Sequence, residues 1–172
     1  MIKLKRPLKV KYFVGMLARD EEIMEKAVKI LEEKFGEAEF KSDLIPFTHT
    51  DYYEKEMGKD LKRKFYSFKP LRSPGELAEL KLFTIEVEKK FMEGDKRRVN
   101  IDPGYVELSK VVLASTKNYS HRIYLSNGIY AEVTLYFKNG EFHDFHYTYP
   151  DYRTKEYKEF FEKIRESLKN SL

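Results

Sequence analysis

The tightest constraint in this chain is a pair of Asn-Gly steps, at 127–128 and 139–140, set between runs that alternate apolar and polar residues. Asn-Gly supplies the two left-handed positions of a tight hairpin turn, so the chain must double back at each step. The reading is a β-meander of three strands: Ser120 to Leu125, Ile129 to Phe137 and Glu141 to Tyr147. Its register can be argued from side-chain faces. A two-residue loop sets Ile123 opposite Glu132 and mixes apolar with charged groups. A three-residue loop, Ser126 to Gly128, pairs Leu125 with Ile129, Ile123 with Ala131 and Arg122 with Glu132, and is preferred. Ile123, Leu125, Ile129, Ala131, Val133, Leu135 and Phe137 then form a core face. Ser120, Arg122, Tyr124, Tyr130, Glu132, Thr134 and Tyr136 form the polar one, joined by His143 or His146.

Upstream, Val10 to Leu17 is apolar around one lysine and reads as a central strand. Asp20 caps a helix whose stripe is Ile23, Ala27, Ile30 and Leu31, ending at Gly36. Ala38 to Phe47 reads as an irregular edge strand broken by Pro46. Ser73-Pro74-Gly75-Glu76 opens a second helix through a capping box, burying Leu77, Leu80, Phe83, Val87 and Phe91. A third runs from Lys155 to Leu168, with Tyr157, Phe160, Phe161, Ile164 and Leu168 on one face. Val106 to Thr116 fits either a helix or a buried strand. The expectation is one α+β domain over residues 1–172: a mainly antiparallel sheet with a C-terminal meander and three main helices packed on it.

Composition narrows the chemistry. The chain has no Cys, which removes disulfides, thiolate metal sites and thiol nucleophiles together. Gln is also absent while Lys and Glu abound, the pattern of a heat-adapted protein, and the expected setting is cytoplasmic. No apolar run approaches the roughly 20 residues that span a bilayer, so no membrane partner is expected. A net charge of +4 does not by itself argue for nucleic acid. Basic clusters at Lys3 to Lys11, Lys59 to Lys64 and Lys96 to Arg98 are each a phosphate-facing patch or a solvated face.

The polar hairpin face is the leading candidate site. Asp102, Glu132 and His121 are the acid–base candidates. Lys117, Asn118, Ser120, Arg122, Tyr124, Tyr130 and Thr134 are the ligand-binding ones. Asn100 and Asp102 share one side of a short strand ahead of Pro103-Gly104, which alone reads as a turn. His49 and Asp51 are weak metal candidates without a closed ligand set, and Asp51 is better read as a helix cap. No phosphate-cradling loop, dinucleotide fingerprint or nucleophile elbow is present, and no cofactor is indicated.

The blocks TDYYEKEMG, SPGELAELKLFT, RRVNIDPGY, STKNYSHRIYL, GIYAEVTL and YPDYR resemble those of a prokaryotic domain-of-unknown-function family, number 4416, over nearly the whole chain. The resemblance implies no particular activity. Some members are labelled GTP-binding proteins, yet Thr116-Lys117-Asn118 here lacks the Asp that reads guanine. The functional expectation is binding of a phosphate-bearing ligand, a nucleotide or RNA, with hydrolase or transferase chemistry as an extension. The alternatives are a non-catalytic protein-interaction domain and a metal-dependent hydrolase in which His49, Asp51 and Asp102 converge. A deep polar cleft favours a ligand and a flat aromatic patch a partner.

Overall fold

The computed structural model describes residues 1–172. Its elements run β1 (Val10–Ala18), α1 (Glu21–Phe35), β2 (Ala38–Lys41), β3 (Ile45–Pro46), α2 (Glu54–Met57) and β4 (Lys62–Arg72). They continue with α3 (Leu77–Lys90), β5 (Val99–Val106), β6 (Lys110–Ser115), β7 (Arg122–Ser126), β8 (Ile129–Lys138), β9 (Glu141–Asp144) and α4 (Lys155–Ser171). All nine strands join one antiparallel sheet, ordered β2-β4-β1-β5-β6-β8-β7. β3 shares the outer edge of β4, and β9 that of β8.

Every residue of β1 is buried because both faces of the sheet are covered. Val14 and Met16 face α1 and α3, packing with Met24, Leu31, Leu80 and Val87. Phe13 points the other way and joins Phe65, Tyr157, Phe161 and Ile164 beneath α4. Asp20 caps α1 by accepting from the Ile23 N–H at 2.9 Å. α4 buries the five side chains expected of it.

Several local readings need correction. β4, beside β1 at the centre, falls in a stretch read only as basic; Arg63 and Lys64 are buried there by ion pairs. The capping box before α3 does not close, since Glu76 binds Arg72 instead. Asp51 does not cap α2, whose N-cap residue is Tyr53. The ambiguous stretch is strand β6, and Pro103-Gly104 lies inside β5 rather than in a turn.

The hairpin register holds for Arg122 opposite Glu132 and Ile123 opposite Ala131, with Tyr124 opposite Tyr130, but Ser126 and not Leu125 stands opposite Ile129. It is reached differently. The turn is the two-residue Asn127-Gly128 form, both at positive φ, and a bulge at Leu125 restores the pairing. A second bulge, at Thr134, flips the alternation along β8. Ile129 therefore faces the α1–α3 core while Leu135 faces the α4 core. Ile123 and Leu125, expected in the core, lie exposed on the edge strand β7.

β5 and β6 pair only from Gly104 to Val106. Pro103 has no N–H to donate, and the ladder begins one residue later, at Gly104. A Cβ on Gly104 would stand 2.4 Å from the Val112 carbonyl oxygen, so only glycine permits that approach. Below this point the two strands separate, and the gap between them opens a cleft.

Candidate functional site

The cleft encloses about 640 Å³, within the usual size of small-molecule sites. One lip is β5, carrying Asn100 and Asp102; the other is the end of β6 and its continuation to Lys117. Helix α3 closes the floor. Having lost β6, the Ile101 backbone is satisfied by α3: its N–H donates to Glu88 Oε2 at 2.7 Å, and its carbonyl accepts from Lys81 Nζ at 3.3 Å.

Both α3 groups are buried. Burial pushes the Glu88 carboxyl above the usual carboxylate range, and Lys81, the Ile101 N–H and Arg97 only partly offset that rise. Lys81 is the more exposing case chemically. Its ammonium has no carboxylate within 4.0 Å, and its one hydrogen bond is the long contact to Ile101. A buried ammonium with no carboxylate in ion-pair contact is costly, and a further anionic group is favoured beside it.

Along the β5 lip runs a side-chain chain of hydrogen bonds. Glu56 accepts from Arg97 Nε and Nη2, each at 2.9 Å, and Arg97 Nη1 donates to Asn100 Oδ1 at 2.8 Å. Asn100 Nδ2 donates to Asp102 Oδ2 at 3.0 Å, which also accepts from Arg63 Nη1 at 3.1 Å. Arg63 further reaches Asp151 Oδ2 and the Tyr157 hydroxyl. Bonding to Arg97 holds the Glu56 carboxyl below its ordinary range despite partial burial. Asp102 Oδ1 takes no hydrogen bond from the protein, and the side chain is a quarter exposed. Phe47 and Tyr152 present their rings to the Arg63 guanidinium at 5.5 and 5.8 Å. Burial pushes the Tyr53, Tyr152 and Tyr157 hydroxyls far above the tyrosine range, so all three stay protonated. The Tyr152 hydroxyl is the one buried side-chain polar atom without a partner.

On the opposite lip, Arg122 is locked. Nε donates to Glu132 Oε1 at 3.1 Å, Nη1 to Ser115 Oγ and the Lys117 carbonyl, and Nη2 to the Tyr149 hydroxyl at 2.9 Å. A single N–H remains, so Arg122 is a wall-builder with little left for a ligand. Glu132 is equally committed: Oε1 also meets His121 Nε2 at 2.9 Å, and Oε2 accepts from Thr134 Oγ1 at 2.8 Å. At the mouth, Lys117 Nζ donates to the Tyr52 hydroxyl at 2.8 Å, which draws that phenol below its ordinary range.

Of the residues singled out from the sequence, Asp102, Lys117, Arg122, Glu132 and His49 line the cleft. His121 and Thr134 stand behind Glu132, and His121 stacks on Tyr147 at 4.1 Å. Asn118 and Ser120 are exposed outside it, as is Asp51. Tyr124 and Tyr130 pack edge-to-face on each other across the hairpin, away from the lining. His49, Asp51 and Asp102 do not converge, and no three His, Asp or Glu side chains are grouped to hold a metal ion. Sequence reasoning met Arg63 and Arg97 only as members of basic clusters and missed Lys81, Glu88 and Asp151. For Lys81 and Glu88 a signal existed: they fall at helical spacing on the same stripe as Leu77, Leu80, Thr84 and Val87.

No helix is long and apolar enough to cross a membrane. A family model described as "Domain of unknown function (DUF4416)" matches residues 8–168. No curated protein and no solved structure matches the chain.

Proposed function

The chain belongs to the DUF4416 family, whose description assigns no activity, and from the cleft itself we propose that it binds a phosphate-bearing small molecule of nucleotide size. Lys81 carries this reading. Its buried ammonium at the cleft floor, with no carboxylate in ion-pair contact, is a place that favours an anionic group. Lys117 at the mouth adds a second cation. The aromatic walls offer planar apolar surface to the rest of the ligand.

A single nucleotide is favoured over RNA because the central basic cluster is not a free patch. Arg63 is consumed by Asp102 and Asp151, and Lys64 by Glu21 and Glu25. Composition supports a heat-adapted, cytoplasmic setting for that binding. A second reading, protein docking, has one observation behind it. Ile123, Tyr124 and Leu125 are exposed on the edge strand β7, without the charges that usually guard such edges.

A thermal-shift panel of nucleoside monophosphates separates the two. Ligand binding to the native state raises the melting temperature by mass action. Lys81→Met should lose about 1.5–3 kcal/mol of binding, roughly 10- to 100-fold in Kd, read against the melting temperature of the free variant because the Ile101 carbonyl also loses its partner. Equal shifts for both proteins would remove Lys81 from the site.

A further inference from the structure

Residues 1–9 differ from the rest of the chain in position and in composition. They take no secondary structure and every one is exposed, Ile2 and Leu4 at 89% and 91%. The sheet explains why. At the start of β1, Val10 stands opposite Arg72, the last residue of β4, and Lys11 opposite Val106, the last of β5. Both neighbouring strands end there, so the chain before Val10 has no strand to pair with.

Lys3, Lys5, Arg6 and Lys9 are the charges of this arm, and the first carboxylate in the chain is Asp20. None of the four has a carboxylate within 4.0 Å, whereas Lys11, two residues further on, is buried against Glu39. Interleaved with them are Met1, Ile2, Leu4 and Leu8, all exposed. With the period of two of extended backbone, Ile2, Leu4 and Leu8 fall on one side and Lys3, Lys5 and Lys9 on the other.

An aliphatic side left in water beside unpaired cations is matched by an anionic lipid surface. Its headgroup layer takes the apolar side chains, and its phosphates and carboxylates take the ammonium groups. A single-stranded nucleic acid would meet the cations but leave the aliphatic side in water. Such strands are held by aromatic stacking as well as by charge, and residues 1–9 contain no aromatic.

We propose that residues 1–9 are a peripheral anchor that holds the protein on a membrane surface rich in anionic phospholipid. No span is involved: no helix is long and apolar enough to cross a bilayer, and a segment lying in the headgroup layer needs none. The proposal is independent of the phosphate-ligand reading, because the cleft shares no residue with the arm.

Sedimentation of the full chain with vesicles tests this, using phosphatidylcholine alone and phosphatidylcholine mixed equally with phosphatidylserine. The native chain should bind the mixed vesicles, not the phosphatidylcholine ones, and should lose affinity as salt rises. Ile2→Ser with Leu4→Ser keeps every charge and should weaken binding about tenfold or more. Lys3→Ser with Lys5→Ser should weaken it roughly 10- to 30-fold. Lys59→Ser with Lys96→Ser removes two exposed charges from elsewhere and should change it little. Melting curves, expected to match that of the native chain, show that the variants fold. Equal binding by the native chain and the Ile2/Leu4 variant overturns the anchor, as do equal losses from the two lysine pairs, since either result is diffuse electrostatic attraction. Binding to single-stranded RNA without binding to vesicles overturns it, and so does binding to neither.

Discussion

Lys81 and Glu88 lie two helical turns apart on the buried face of α3, bonded to the two polar groups of one residue, Ile101. They replace what a neighbouring strand would supply. An amphipathic reading assigns charge to solvent, which is why their chemistry stayed hidden although their spacing placed them on the stripe. Glu88 also makes the arrangement testable by pH. Its folded-state pKa is raised by burial. Its contribution to stability is therefore full below the unfolded carboxylate value of about 4.3 and is lost as pH rises through the higher folded value. Glu88→Gln keeps an acceptor for the Ile101 N–H and does not ionise. The native chain should lose urea stability relative to that variant between pH about 4 and neutrality. Parallel profiles for the two would show that Glu88 ionises normally in the fold.

At the scale of elements, the helices were legible and the meander only half so. The stripes of α1 and α4, and Leu80 and Val87 on α3, follow from a period that their side chains keep from end to end. A period of two has no such tolerance. One inserted residue at Thr134 sends Leu135 to the opposite core, while Ile123 keeps its expected partner Ala131 and still lies in solvent because β7 is an uncovered edge strand. Neither this bulge nor the one at Leu125 announces itself locally. The freed carbonyls around Thr134 are taken by the Tyr147 and Thr148 hydroxyls, more than ten residues away. The two elements should respond differently to truncation. Leu80→Ala removes a fully buried side chain and should cost about 2–5 kcal/mol, whereas Ile123→Ala should stay within about 0.5 kcal/mol. Denaturant titration measures both. A large loss at Ile123 would mean that β7 is covered in solution and would advance the docking reading.

Across the whole molecule, the cleft exists because a continuous sheet is interrupted at one place, and its lining is gathered from segments far apart in the chain. Asp102 and the hairpin do border one cavity, as their closeness in sequence suggested. Arg63 arrives from β4, Asp151 from the approach to α4 and Lys81 from the helix behind. Such groups become a site only after folding, so nothing in local spacing marks them. The basic clusters show the converse: Lys11, Arg63 and Lys64 look like a surface charge run but are buried and paired with Glu39, Asp102 and Glu25. Residues 3–9 remain exposed as a basic segment, and Lys59, Lys96 and Arg98 are exposed singly. The central claim is that a phosphate-bearing ligand enters between β5 and β6. Amide NMR of the native chain titrated with AMP tests it most directly. Resonances of Asn100 to Asp102 and of Ser115 to Lys117, the two lips, should move together and saturate. Shifts confined to residues 3–9, fading as salt rises, or confined to β7, would contradict it.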